Sequence, residues 1–280
     1  MAVLLALVSA FAYGLSDFAG GLVSRRASVW SVAVTLQSSS AVSTALVALF
    51  VGGTITAPDL AWATLSGVGS GLGVCYLFRG FSRGRMAVVA PLSAVGAAVL
   101  PLVVALVAGE RPSVLDLVGI AVALPGIWLV SSGDTPHASS GGGAPSSGVG
   151  DGLVAGLGFG LMFVALAQIG EEAGLWPVAL GQLVSALTAA VLAVAVRASW
   201  RPGGRTLWPA AAAGPLGALA VVAYTLSTRE GLLSISAVLS SLYPAATILL
   251  AATVLHERIR RPQVLGLVLC GLTVSLLALD

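Results

Sequence analysis

Charge is scarce in this chain. Only 9% of its 280 residues are charged, 58% are hydrophobic, and the mean hydropathy is +1.03. A water-soluble domain carries about 25% charged residues. The deficit excludes a water-facing surface over most of the chain, so its main solvent is lipid. Lysine is absent: all thirteen basic residues are arginine and the net charge is +2, too little and too scattered for a nucleic-acid footprint. The two cysteines, Cys75 and Cys270, both lie in apolar runs and read as small buried residues. There is no CxxC pair and no His/Cys cluster, so neither a metal nor another cofactor is expected. The first apolar run lacks the basic start of a secretory leader, and many similar runs follow it; it reads as a first span.

Apolar runs are what the chain has in abundance. Crossing hydrocarbon as a helix takes about 20 apolar residues. Spans are predicted near Val3–Val23, Val29–Val51, Ala61–Phe81, Ala87–Ala108, Leu115–Ser131, Gly152–Gly170, Leu175–Val196, Leu207–Ser227, Leu232–Leu255 and Pro262–Leu279. A membrane β-barrel would show short alternating stretches instead. The expected fold is therefore all-α and integral to the membrane, with ten transmembrane helices.

The segment from Ser131 to Gly150 breaks this pattern: SSGDTPHASSGGGAPSSGVG is a flexible, solvated linker, with His137 as a passive loop residue. It leaves five spans on each side. The flanks resemble each other. Glu110, Arg111 and Gly119 recur as Glu257, Arg258 and Gly266; Ala6, Ala10, Gly14 and Trp30 align with Gly152, Gly156, Gly160 and Trp176. The chain thus divides into a first five-helix repeat (1–131), a linker (132–150) and a second repeat (151–280). Five is odd, so the second repeat enters the bilayer inverted relative to the first, as in many secondary transporters. Eleven of the thirteen arginines fall in the turns after spans one, three, seven and nine; only Arg111 and Arg229 lie elsewhere. Basic loops stay cytoplasmic, which places those turns inside and both termini outside.

Three stretches carry a family resemblance: AFAYGLSDFAGGLVSRR (10–26), RGRMAVVAPLSAVGAAVLPLVVALVAGERPS (83–113) and TREGLLSISAVLSSLYPAATILLAATVLHERI (228–259). They resemble the drug/metabolite transporter superfamily in its EamA-type form, with the fourth- and ninth-helix blocks ending in GER and HER. The resemblance covers nearly all of the chain except the linker. It implies ten helices, two EamA-type repeats, and movement of metabolites by alternating access. It also implies cytoplasmic termini, against the arginine distribution, which is the criterion followed here.

A charge inside a span costs about 2.5–3.5 kcal/mol at the helix centre on insertion scales. Asp17 lies within span one, and its repeat partner is Phe163, so the acid belongs to one half only. It is either a proton- or substrate-binding carboxylate facing a cavity or an interfacial acid paired with an arginine. Arg79, on the same side, is its candidate partner; the alternatives are an anion-holding role or snorkelling to headgroups. Glu110 and Glu257 end spans four and nine, as gate charges or helix-end ion pairs. Among polar residues in spans, Tyr13, Tyr76, Ser240 and Tyr243 are pathway candidates, together with Gln37, Gln182, Gln168, Tyr224 and Ser241. Each must find a hydrogen-bond partner or a wet cavity. Pro91 and Pro244 mark places where a helix can bend around a substrate. Gly67/Gly71, Gly69/Gly73 and Gly152/Gly156/Gly160 have the spacing of close helix contacts rather than of a nucleotide loop.

The reading is a secondary transporter of the cytoplasmic membrane, not an enzyme. It moves a small metabolite or drug-like molecule by alternating access, with proton-coupled efflux as the candidate coupling and direction. Its partners are the substrate, the bilayer and protons; the sequence leaves the oligomeric state open. An accessory membrane subunit is the alternative, ahead of an embedded enzyme, which would need catalytic groups clustered at one interface. A reporter fused after Asp280 tests the topology: activity is expected outside the cytoplasm, and a cytoplasmic signal reverses the assignment.

Overall fold

The computed structural model describes residues 1–83, 86–131, 148–201, 204, 207–254, 256 and 259–279. His137, Arg85, Arg205, Glu257, Arg258 and linker residues 132–147 lie outside the described residues. The helices are α1 (Ala2–Ser24), α2 (Val29–Ala48), α3 (Ala57–Ser82), α4 (Met86–Val107), α5 (Val114–Ser131), α6 (Val149–Ala167), α7 (Trp176–Ala195), α8 (Trp208–Glu230), α9 (Leu233–Ser240), α10 (Tyr243–Val254) and α11 (Arg261–Ala278). With α9 and α10 taken as one broken span, ten are long and apolar enough to cross a membrane. Among the described residues there is no strand.

Local chemistry explains where the helices depart from the hydropathy pattern. α3 starts four residues before the expected Ala61 because Thr56 and Asp59 form a reciprocal capping box, with Pro58 in the first turn. Ser113 and Asp116 do the same for α5, their backbone amides donating to each other's side chains at 3.0 and 3.1 Å. The ninth span, expected as one continuous run, is interrupted between Ser240 and Tyr243. Pro244 has no amide proton, and its ring crowds the carbonyl four residues back, that of Ser240. The repeat-related helix α4 carries Pro91 and Pro101 and is unbroken, so the break belongs to one half only.

Antiparallel pairs join the halves, among them α1 with α8, α2 with α7, α3 with α6, and α5 with α11. The N-terminus of α1 meets the C-terminal end of α8, where the Ser227 hydroxyl donates to the Ala2 carbonyl at 2.9 Å. The C-terminal end of α3 meets the first turn of α6. These pairings are those of two five-helix repeats of opposite orientation. One buried cluster draws mostly on α2, α3, α6, α7 and α8, with residues of α1, α4 and α9; another joins α1, α4, α5 and the helices from α9 to α11.

Lipid supplies no hydrophobic drive to bring helices together, so close backbone approach through small residues does it. α3 presents glycine on two faces. A Cβ at Gly69 would stand 2.6 Å from the Gly158 carbonyl oxygen on α6; one at Gly71 would stand 2.8 Å from the Ser185 oxygen on α7. At Gly156 it would meet the Leu92 carbonyl oxygen of α4 at 2.8 Å. All three neighbours are backbone and cannot turn aside. Gly156→Leu is expected to cost about 1–3 kcal/mol, read as a lower unfolding midpoint in detergent. Gly271, with open space around it, is the control: Gly271→Ala should be neutral or gain up to about 1 kcal/mol.

Candidate functional site

A cavity opens where the halves meet, with about 510 Å³ of space not filled by atoms. α1 contributes Tyr13, Ser16 and Asp17; α2 contributes Leu36 and Gln37; α3 contributes Ser70, Val74 and Phe78. Across the seam stand Phe159, Met162 and Phe163 of α6, Gln182 of α7, Gly217 and Val221 of α8, and Tyr243 of α10. Asp17 sits seven residues before the end of α1, roughly 10 Å along the axis. It is only partly buried. Among the described residues, none donates a hydrogen bond to its carboxylate or forms an ion pair with it.

Two amides form the polar side of the cavity. Gln37 Nε2 donates to Ser70 Oγ at 2.8 Å and to Ser185 Oγ; Gln182 Nε2 donates to Ser40 Oγ at 2.7 Å. Gln37 and Gln182 are 145 positions apart in the chain, as are Ser40 and Ser185. The two bonds cross: each glutamine reaches the serine that stands three positions after the other glutamine. This is the crossed pattern of a local two-fold axis running between α2 and α7.

Aromatic rings form the opposite side. Tyr13 meets Phe163 edge-to-face at 6.0 Å between centroids and Tyr243 at 6.5 Å; Phe159 meets Tyr243 at 6.4 Å. Phe163 in turn stacks on the buried Tyr224 at 4.3 Å, whose hydroxyl donates to the Phe163 carbonyl at 3.0 Å. These contacts fix ring orientation at modest cost, since a phenolic group in hydrocarbon must find an acceptor.

Of the sequence candidates, Tyr13, Asp17, Gln37, Gln182 and Tyr243 line the cavity together; Arg79, Tyr76, Pro91, Gln168, Tyr224, Ser240, Ser241 and Pro244 are not among its lining residues. Arg79 does not pair with Asp17. Its guanidinium lies 4.1 Å above the Tyr76 ring and bonds Asp151, with Nε donating to Oδ1 at 3.0 Å. Arg83 adds a contact to Oδ2 at 3.6 Å. Asp151 occupies the first turn of α6, where the helix dipole favours an anion. The Ser240 hydroxyl reaches the Ala6 carbonyl at 3.5 Å. The Glu110 carboxylate caps α9, accepting from the amides of Leu233 and Ser234 at 2.8 and 3.2 Å and from the Ser234 hydroxyl at 2.8 Å. Among the described residues it forms no ion pair with Arg111. Its repeat counterpart Glu257 is outside the described residues.

Sequence reasoning overlooked Asp151 and the α6 aromatics. A signal was present for Asp151: at the 146-residue spacing its partner is Leu5, the same one-sided acidity that drew notice at Asp17. Phe159, Met162 and Phe163 looked like ordinary lipid-soluble residues, and their inward face is a tertiary fact.

A model of the EamA-like transporter family matches residues 1–132 and again 146–279. The chain belongs to this family. Its members are membrane transporters of the drug/metabolite type. Fourteen chains of solved structures also match. One, titled "Crystal structure of protein", is superposable with a TM-score of 0.73 over 99% of this chain and 96% of its own, at 18% identity. That likeness is one of fold. No curated protein matches.

The Arg79–Asp151 pair joins the two halves at the arginine-rich end. Asp151→Asn leaves two guanidinium groups short of a partner and should lower stability by about 1–3 kcal/mol. A double-mutant cycle with Arg79→Met should return a coupling of at least about 0.5 kcal/mol. Zero coupling in detergent unfolding would show that the pair holds nothing together.

Proposed function

We propose that this family member is a secondary transporter of a small organic molecule, working by alternating access around the seam cavity. The observation that carries the reading is Asp17: a carboxylate without a partner among the described residues, partly exposed inside a cavity between inverted halves. Burying such a group at a helix centre is expensive. A site that binds a proton or a substrate offsets that cost by function.

The seam supplies two closures that can alternate. At the arginine-rich end, Arg79 and Arg83 hold Asp151, and the Ser28 hydroxyl donates to the Ser199 carbonyl at 2.6 Å. At the other end, the Thr54 amide donates to the Glu172 carbonyl at 2.7 Å, Gly170 N to Asp59 Oδ1 at 2.8 Å, and Arg229 to the Gly170 carbonyl at 3.1 Å. Each set joins the first half to the second or braces the loop that does so. Rocking one half against the other breaks one set while keeping the other. Contacts of this kind are worth about 1 kcal/mol each, weak enough to exchange on binding.

In this scheme Asp17 accepts a proton when the cavity is empty and releases it when substrate arrives, so a proton gradient drives export across the cytoplasmic membrane. Tyr13 and Tyr243 contact the substrate, and residues 132–150 tether the two repeats, 1–131 and 151–280, on the arginine-rich face, which is the cytoplasmic one. Proteoliposomes with an imposed pH gradient test this with a panel of candidate metabolites. Asp17→Asn should cut gradient-driven flux at least about tenfold between about pH 5 and pH 8. Glu110→Gln, which alters only the cap on α9, should stay within about threefold. Full flux in the Asn variant across that pH range removes Asp17 from the mechanism.

A further inference from the structure

Among the described residues the cavity's uncommitted acceptors outnumber its uncommitted donors, which are the Ser70 hydroxyl proton and one Gln182 amide proton. Gln37 spends both of its amide protons, on Ser70 and Ser185, and Gln182 spends one on Ser40. Ser16 directs its hydroxyl to the Ala213 carbonyl at 3.3 Å. Among the described residues none donates to either glutamine Oε1 or to Asp17. Three residues that line one space thus carry acceptors to which none of the described residues donates: Asp17, Gln37 and Gln182. Among the described residues no arginine lines the cavity, and the chain has no lysine. The nearest guanidinium in sequence to a lining residue, that of Arg79, is tied to Asp151 and stacked on Tyr76.

We propose that the cavity selects a protonated amine carried on a flat apolar body, and excludes molecules of that size bearing a carboxylate or phosphate. This assignment rests on the transporter reading above and names the substrate class of that site. An ammonium group has three donors and no acceptor, which matches the three free acceptors. It also neutralises Asp17, so neither charge is left unpaired away from bulk water. The faces and edges of Tyr13, Phe159, Phe163 and Tyr243 flank the same space, and aromatic faces attract cations and stack on planar groups. An anionic group would meet Asp17 without a compensating cation, and would find most of the N–H donors already used.

Four molecules of one shape decide the question. Binding of tritiated phenethylamine to the purified full-length protein in detergent at neutral pH is measured first. It is then competed with 2-phenylethanol (neutral), phenylalanine (zwitterionic) and 3-phenylpropionate (anionic). The amine is expected to bind saturably, with phenylalanine and phenylpropionate at least about tenfold weaker and the alcohol in between. Asp17→Asn should erase the amine's advantage over the alcohol; an unchanged gel-filtration profile shows that the variant is folded. The ranking in the unaltered protein decides the matter even if the variant misfolds. Equal competition by phenylalanine or phenylpropionate overturns the proposal, and so does the lack of saturable amine binding at about 10 mM. Flux of phenylpropionate or phenylalanine in proteoliposomes, with no flux of the amine, would defeat the amine assignment and leave the transporter reading standing. Absence of gradient-driven flux for every metabolite tried, with the amine still bound, would do the reverse.

Discussion

Hydrocarbon gives helices no reason to associate except contact itself, and α3 is where this protein makes the most of contact. Its glycines alternate between two faces, Gly67 and Gly71 toward α7 and Gly69 and Gly73 toward α6. One helix of the first half is thereby wedged between two helices of the second at backbone distance. That wedge sets the position of Ser70 beside Ser185 and of Phe78 and Val74 beside the α6 aromatics. The cavity is the volume left where the glycine seams end and larger side chains begin.

The same solvent dictates how polar groups are handled. A buried hydroxyl or amide without a partner costs about 1–3 kcal/mol, and most are paired: Thr44, Thr188 and Thr225 return their hydroxyls to carbonyls four residues earlier in their own helices. The crossed Gln37–Ser185 and Gln182–Ser40 bonds instead satisfy one half with the other. Charges at the ends are treated differently from Asp17: Asp59, Asp116 and Asp151 are buried and each caps or neutralises something nearby.

Much of this was legible in the residues themselves. Helix number and approximate bounds follow from apolar run length, since a span must match the bilayer. The opposite orientation of the halves follows from an odd span count and a repeat spacing. The glycine motifs announced close packing without naming partners. Less readable was anything decided by rotation about a helix axis. Ser240 and Tyr243 are near neighbours in sequence, yet one faces the Ala6 carbonyl and the other the cavity. Sequence offered Asp17 as the partner of Arg79; the end of α3 lies against the start of α6, so Asp151 receives it. Glu110 was read with its neighbour Arg111 because sequence shows neighbours, whereas the amides of α9 lie 123 residues away.

The departures from two-fold symmetry matter as much as the symmetry. Two inverted copies with identical contacts would make the inward- and outward-open forms equal in energy, and a ligand could then favour either only through differential affinity. Here Asp17 faces Phe163 across the repeat, Asp151 corresponds to Leu5, and the break before Tyr243 has no equivalent in α4. Each difference adds an interaction to one closure and not to the other. The Arg79–Asp151 contact strengthens the arginine-rich end; the short α9, held by Glu110, shapes only the second half. Differences of about 1–3 kcal/mol set the resting population at roughly five- to a hundredfold in favour of one face. Among the described residues Asp17 is the cavity carboxylate without a partner, and in the proposed mechanism ligand binding there shifts the balance that these one-sided side chains set.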